Sequence, residues 1–137
     1  MRTLHTGLRV ADIEASLAFY RALGYHVIGL VPGTGLGDLT MIALPDDPFV
    51  ALELVHVPDE TVEVRGISHL VIQVEDLDAF IARLEAGGIS CENVAGGAGG
   101  PHTAWLTDPD GYRIELVQWP QGHPEGITES DFAGPSR

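Results

Sequence analysis

A chain of 137 residues is long enough for one compact domain and short for two independent ones. Its 20 acidic against 7 basic side chains give a formal charge of -13, a field that repels phosphate backbones and anionic bilayers, so neither nucleic acid nor a membrane is an expected partner. With 45% apolar and 20% charged residues the chain is expected to fold. The absence of an apolar run of about 20 residues, and of signal-peptide character at the start, predicts a cytoplasmic setting.

In chain order, residues 3–10 alternate, with Leu4, Thr6, Leu8 and Val10 on one side and His5, Gly7 and Arg9 on the other, the pattern of a half-buried strand. Asp12 then stands where an N-cap belongs, and Ile13, Leu17, Phe19 and Tyr20 mark the inner face of a helix ending near Gly24. Three strands are predicted next, "YHVIGLV", "DLTMIAL" and "FVALELV", separated by Pro, Gly and Asp clusters. The connector "HVPDETVEVRG" leads to "ISHLVIQV", a strand followed by a helix capped by Asp76, carrying Leu77, Phe80, Ile81 and Leu84, and stopped by Gly87 and Gly88. Strands at 89–95, 102–107 and 112–118 complete this half, the last two joined by the turn "TDPDGY". The glycine cluster "AGGAGGP" lacks the lysine and helix start of a phosphate cradle and reads as a loop. The single cysteine, Cys91, reads as packing. Residues from Pro120 onward, rich in Pro, Gly and acidic side chains, read as a surface tail.

A shift of 64 superimposes His5 on His69, Val10 on Val74, Asp12 on Asp76 and Ala15 on Ala79; near the ends of the halves a shift of 62 lays "ELVHVP" on "ELVQWP". The chain therefore contains one module twice, strand, helix and three strands: module one is 1–58, module two 66–120, together a single domain 1–120 with a tail 121–137.

Each module opens with a histidine and closes with a glutamate: His5 and Glu53, His69 and Glu115. Leu52 and Leu54 must face the core, which turns Glu53 to the opposite side of its sheet; Ile114 and Leu116 do the same for Glu115, and the flanking apolar residues turn both histidines outward. A carboxylate within "VALELV" and again within "YRIELV" is costly to bury without a compensating cation or an open cavity. Two imidazoles and two carboxylates suit a borderline divalent ion, Zn²⁺, Ni²⁺, Co²⁺, Fe²⁺ or Mn²⁺, better than Ca²⁺ or Mg²⁺. Arg9 shares the parity of His5 and is a candidate substrate-binding residue, with a surface ion pair as the alternative. His56 has the opposite parity to Glu53 and reads as packing or surface; His102 follows the glycine loop and reads first as an ordinary loop residue, with lining a site as the alternative; Trp105 and Phe49 read as core, with walling the pocket as the alternative.

The stretches "MRTLHTGLRVADIEASLAFYRALG", "ELV", "GISHLVIQVEDL" and "DPDGYRIELVQ" resemble the vicinal oxygen chelate superfamily, which includes glyoxalases, bleomycin-resistance proteins and dioxygenases, and within it the short bacterial glyoxalase I type. The resemblance implies an α+β fold of two paired βαβββ modules whose mixed sheets curl around a metal held by His5, Glu53, His69 and Glu115, often completed across a homodimer. It implies a lyase that isomerises the hemithioacetal of a 2-oxoaldehyde and a small thiol to an S-2-hydroxyacyl thioester, with Glu115 as principal base and Glu53 as ligand and second acid or base. Ni²⁺, Co²⁺ and Zn²⁺ are the first candidates for the ion, with Fe²⁺ and Mn²⁺ next. Retention of Glu53 separates this expectation from two alternatives of the same fold, a drug-binding resistance protein and an Fe-dependent ring-cleaving dioxygenase. Val57 replaces an asparagine common in the family, which leaves the identity of the thiol open.

Overall fold

The computed structural model describes residues 1–123, 126–127 and 129–132. The elements run β1 (Thr6–Val10), α1 (Ile13–Leu23), β2 (His26–Thr34), β3 (Gly37–Ala43), β4 (Leu52–His56), β5 (Leu70–Gln73), α2 (Leu77–Ala86), β6 (Glu92–Gly96), β7 (His102–Thr107), β8 (Arg113–Gln118) and a short 3₁₀ turn, Glu129–Phe132. The βαβββ order thus appears twice, as the α+β expectation required. The two four-stranded sheets have the same strand order, β1-β4-β3-β2 and β5-β8-β7-β6, with a parallel pair at one end of each. No helix among the described residues is long and apolar enough to cross a membrane.

The helix ends follow their sequence signals. Asp12 accepts a hydrogen bond from the Ala15 N–H at 3.0 Å and Asp76 one from Ala79 at 3.0 Å, each satisfying an otherwise orphaned donor. Gly24 takes a φ of 112°, a conformation that a Cβ would strain, and closes α1 through N–H bonds to the Tyr20 and Arg21 carbonyls.

Two compact units emerge. The first comprises residues 1–67 together with 107–112, the second residues 68–106 and 113 onward. The first is built around Leu8, Val10, Tyr20, Leu23, Ile42 and Leu54, the second around Ile72, Leu77, Leu84, Leu106, Ile114 and Leu116, all nearly inaccessible. The turn at 107–112, written in the second module, belongs to the first unit through a set of polar contacts. The Tyr20 hydroxyl donates to Asp108 at 2.9 Å, Asp110 accepts from the Ala11 N–H at 3.0 Å and from the Ser16 hydroxyl at 3.3 Å, and the Tyr112 hydroxyl donates to the Arg9 carbonyl at 3.0 Å. Asp108 also accepts from the N–H groups of Asp110, Gly111 and Tyr112. Burial raises its carboxyl above the ordinary value despite these bonds, and burial beside this carboxylate pushes the Tyr20 phenol far upward.

Several expectations require correction. The first strand begins at Thr6 rather than residue 3, and Leu4 is 58% exposed, so it contributes nothing to orienting His5. His5 and His69 each lie one residue before their strands rather than within them. Phe49 is 48% exposed under the Arg2 guanidinium, 4.3 Å from its ring centre, and Trp105 is only half-buried; neither is a core residue. Cys91 is half-buried and unpaired, with its thiol raised by burial and by Glu85. In the tail, His123 closes a turn onto the Pro120 carbonyl and stacks on Trp119; residues 124, 125, 128 and 133–137 lie outside the described residues.

Candidate metal centre

The parallel pairing of first and last strands sets the site. In the first unit Gly7 lies opposite Glu53; in the second, Val71 lies opposite Glu115. His5 and His69 each stand two residues before the partner position, so a side chain of the same parity meets the glutamate diagonally across the ladder. The resulting distances are alike: His5 Nε2 to Glu53 Oε2 is 3.5 Å and His69 Nε2 to Glu115 Oε2 is 3.7 Å.

Both distances exceed the roughly 2.7–3.2 Å of an N–H···O hydrogen bond. They lie close to the edge of about 3.0–3.5 Å spanned by two donors that each sit roughly 2.0–2.2 Å from a shared ion. The burial points the same way. Glu53 is only 9% exposed, between Leu52 and Leu54, and among the described residues its sole ionic partner is His5. A carboxylate so placed is costly without a cation. In donor chemistry and spacing, each pair fits half of a mixed nitrogen and oxygen ligand set. Among the described residues no group of three or more His, Cys, Asp or Glu side chains is arranged to hold a metal ion; the chain presents two two-donor pairs.

The surroundings of the pairs differ. Met41 lies directly across the ladder from Glu53. In the second unit the Trp105 ring meets the His69 ring edge to face, 5.0 Å between centres, and the Arg113 guanidinium lies 5.4 Å from the centre of the same indole. Trp105 is thus a site neighbour, the alternative to the core reading rather than the core reading itself. The signal was present, because Ala104 and Leu106 are fully buried and alternation turns Trp105 to the other face. His69 Nδ1 is 3.0 Å from the Ser68 hydroxyl, a contact that orients the ring.

Arg9 is paired with Glu60 at 2.9 Å, both half exposed. His56 ends β4, half-buried, opposite Val10 and Asp38. His102 opens β7 opposite Gly96, and His26 opens β2 opposite Ala43, exposed; neither belongs to a histidine and glutamate pair.

A module of strand, helix and three strands present twice, each copy with a histidine facing a glutamate across its parallel pair, defines a class of paired-module α+β proteins. The family model of the Glyoxalase/Bleomycin resistance protein/Dioxygenase superfamily matches residues 2–116, and the chain belongs to that superfamily. A probable lactoylglutathione lyase of Vibrio cholerae is 33% identical, the alignment spanning 89% of this chain and 94% of the relative. The trypanothione-dependent glyoxalase I of Leishmania major is 28% identical with a TM-score of 0.71, covering 86% of each chain. An antibiotic-binding protein of Streptomyces sp. CB03234, TnmS3, is 25% identical with a TM-score of 0.70, covering 88% of this chain and 97% of its own.

Proposed function

We propose that this chain is a metal-dependent glyoxalase I-like lyase, converting the hemithioacetal of a 2-oxoaldehyde and a small thiol into an S-2-hydroxyacyl thioester. The observation that carries the reading is the second glutamate: Glu53 stands in the same register to its histidine as Glu115 does to His69. The relatives named lactoylglutathione lyase support it.

His5, Glu53, His69 and Glu115 are the residues that would hold the ion. A divalent transition metal there, Ni²⁺, Co²⁺ or Zn²⁺ first and Fe²⁺ or Mn²⁺ next, supplies Lewis-acid stabilisation of the negative charge that develops on the two neighbouring substrate oxygens. Glu115 serves as principal base and takes the proton from the carbon that carries sulfur. The neighbouring carbon, the former ketone, regains a proton from a carboxylic acid, and Glu53 is the second group able to exchange it. Chemistry of this kind needs two carboxylates with different tasks. The more deeply buried Glu53 suits the ligand, the more accessible Glu115 the base. Arg9 is a candidate for substrate contact. A cytoplasmic setting suits the thiol, which is kept reduced there.

The complete ligand set forms across a two-fold homodimer in this reading, His5 and Glu53 of one protomer joining His69 of the partner subunit and Glu115 of the partner subunit. The edge strands support association: β2 exposes Ile28, Leu30 and Val31, and β6 exposes Val94, apolar side chains on unpaired sheet edges.

The test is to strip divalent ions, restore Ni²⁺, Co²⁺, Zn²⁺ or Fe²⁺ one at a time, and follow thioester absorbance with methylglyoxal and several thiols. Thioester formation dependent on one or more ions is expected; none with any pairing removes the lyase. A second reading, a drug-binding protein of the same fold, is favoured by a cavity of about 360 Å³ in the second unit, walled by Trp119, Pro120, Ile127 and Phe132. Saturable binding of an apolar drug without turnover would select it.

A further inference from the structure

The two histidine and glutamate pairs are alike in register but not in what holds their rings. Ser68 and His69 directly precede β5, and the Ser68 hydroxyl lies 3.0 Å from His69 Nδ1, while Nε2 stands 3.7 Å from Glu115 Oε2. A neutral imidazole that offers its Nε2 lone pair to an ion keeps its proton on Nδ1, and the Ser68 oxygen is in place to accept that N–H. Trp105 is the second restraint: its ring meets the His69 ring at an interplanar angle of 66°, with centres 5.0 Å apart. The indole is itself fixed, because Ala104 and Leu106 on either side of it are fully buried and alternation turns it to the other face of β7.

His5 has neither restraint. A shift of 64 puts Leu4 where Ser68 stands, and Leu4 has no hydroxyl and is 58% exposed. Among the described residues the His5 ring meets no other ring and no hydroxyl, and its polar partner is Glu53. Across the ladder from Glu53 stands Met41, a flexible thioether. Access differs in the same sense, since the Glu115 side chain is 22% exposed and that of Glu53 12%. A ring already held in its binding orientation loses less conformational freedom when a ligand arrives, so the second unit's pair is the better prepared of the two.

We propose that Ser68 and Trp105 are positioning residues which preset the His69 ring, and that His69 and Glu115 therefore capture the divalent ion first, His5 and Glu53 completing the set afterwards. This rests on the metal reading of the four donors, and its test reads binding rather than turnover. Co²⁺ is titrated calorimetrically into the metal-free wild-type protein and into Ser68→Ala, Ser68→Thr, Leu4→Ala and two double variants, His5→Ala with Glu53→Ala and His69→Ala with Glu115→Ala. Circular dichroism and thermal unfolding of the metal-free proteins establish that each variant is folded.

Ser68→Ala is expected to weaken Co²⁺ binding about tenfold, the scale of a lost partner behind a ligating histidine. Ser68→Thr, which keeps the hydroxyl, should restore most of it, and Leu4→Ala should leave it unchanged. The double variant that retains His69 and Glu115 should bind Co²⁺ more tightly than the one that retains His5 and Glu53. With Trp119→Phe added to remove the other of the two indoles, Co²⁺ should still quench Trp105 fluorescence in the former. Undiminished affinity in Ser68→Ala, no rescue by Ser68→Thr, or two double variants that are equal, undetectable binding in both included, overturns the proposal. The two readings fail separately: Co²⁺ binding with the expected order but no thioester from any thiol defeats the lyase alone, while thioester formation without that order defeats the positioning inference alone.

Discussion

The two modules share element order, strand order, helix N-caps and the register of their histidine and glutamate, yet they are not equally buried. Helix α1 buries Ser16, Leu17, Phe19, Tyr20 and Leu23, whereas α2 buries only Leu77 and Leu84. Strand β4 is buried on both faces from Leu52 to Val55, while in its counterpart β8 Glu115 is only half-buried between the buried Ile114 and Leu116. The modules also differ in one turn. At the shift of 62, "DPDGY" of the second module falls on "DDPFV" of the first, and only the former carries the aspartates and tyrosine that bond α1 and β1. A duplicated module can thus keep its backbone plan while a few polar side chains in one turn add long-range bonds to one copy only.

The largest expected effect concerns the two glutamates. Glu115→Gln should lower turnover by about 10²–10⁴-fold, as expected for loss of a general base, and Glu53→Gln by less, with thioester absorbance in metal-loaded protein as the measurement. Equal losses would erase the proposed division of labour between the modules. Next comes the turn itself. Asp108→Ala removes a buried acceptor of four hydrogen bonds and should cost about 2–4 kcal/mol in urea unfolding. Asp46→Ala, at the corresponding exposed place in module one, should cost less than about 0.5 kcal/mol. Similar losses at both would mean that the turn does not distinguish the copies.

A smaller effect is expected for Tyr20→Phe, about 1 kcal/mol for one buried hydrogen bond. The caps should give equal losses of about 1 kcal/mol for Asp12→Ala and Asp76→Ala, because both make the same bond to Ala15 and Ala79. A clear inequality would show that α1 and α2 differ in more than their packing.

The subtlest test is pH dependence. The Asp108 carboxyl is raised in the folded chain from 3.8. From that value up to the raised one the folded chain therefore binds more protons than the unfolded one, and this group's contribution to stability falls as pH rises. Asp108→Asn should remove that fall, making the slope of unfolding free energy against pH more positive across the window. An identical slope in wild type and variant would contradict the burial argument.

Much of this was legible in the residues. Asp12 and Gly24 bracket α1, and Asp76 and Gly87 bracket α2, because caps act through bonds to neighbours three or four positions away. Strand parity correctly turned Glu53 and Glu115 away from the residues beside them, since alternation is a local property of the extended chain. The same rule applied to Trp105 would have placed it against the site rather than in the core. Leu4 misled for the opposite reason, as alternation continued in the sequence past the point where the ladder stops at Thr6.

The sequence alone determined the duplication, the caps, the chain order of elements within a module and the histidine and glutamate at its ends, all consequences of short-range periodicity and spacing. Only the tertiary structure decided that residues 107–112 join the first unit, that Glu60 and Glu92 occupy Arg9 and Arg113, and that Trp105 stands against His69. Those pairings join segments from 21 positions apart, Arg113 with Glu92, to 103 apart, Tyr112 with Arg9, and no local pattern encodes which distant partner a side chain meets once the sheets have formed.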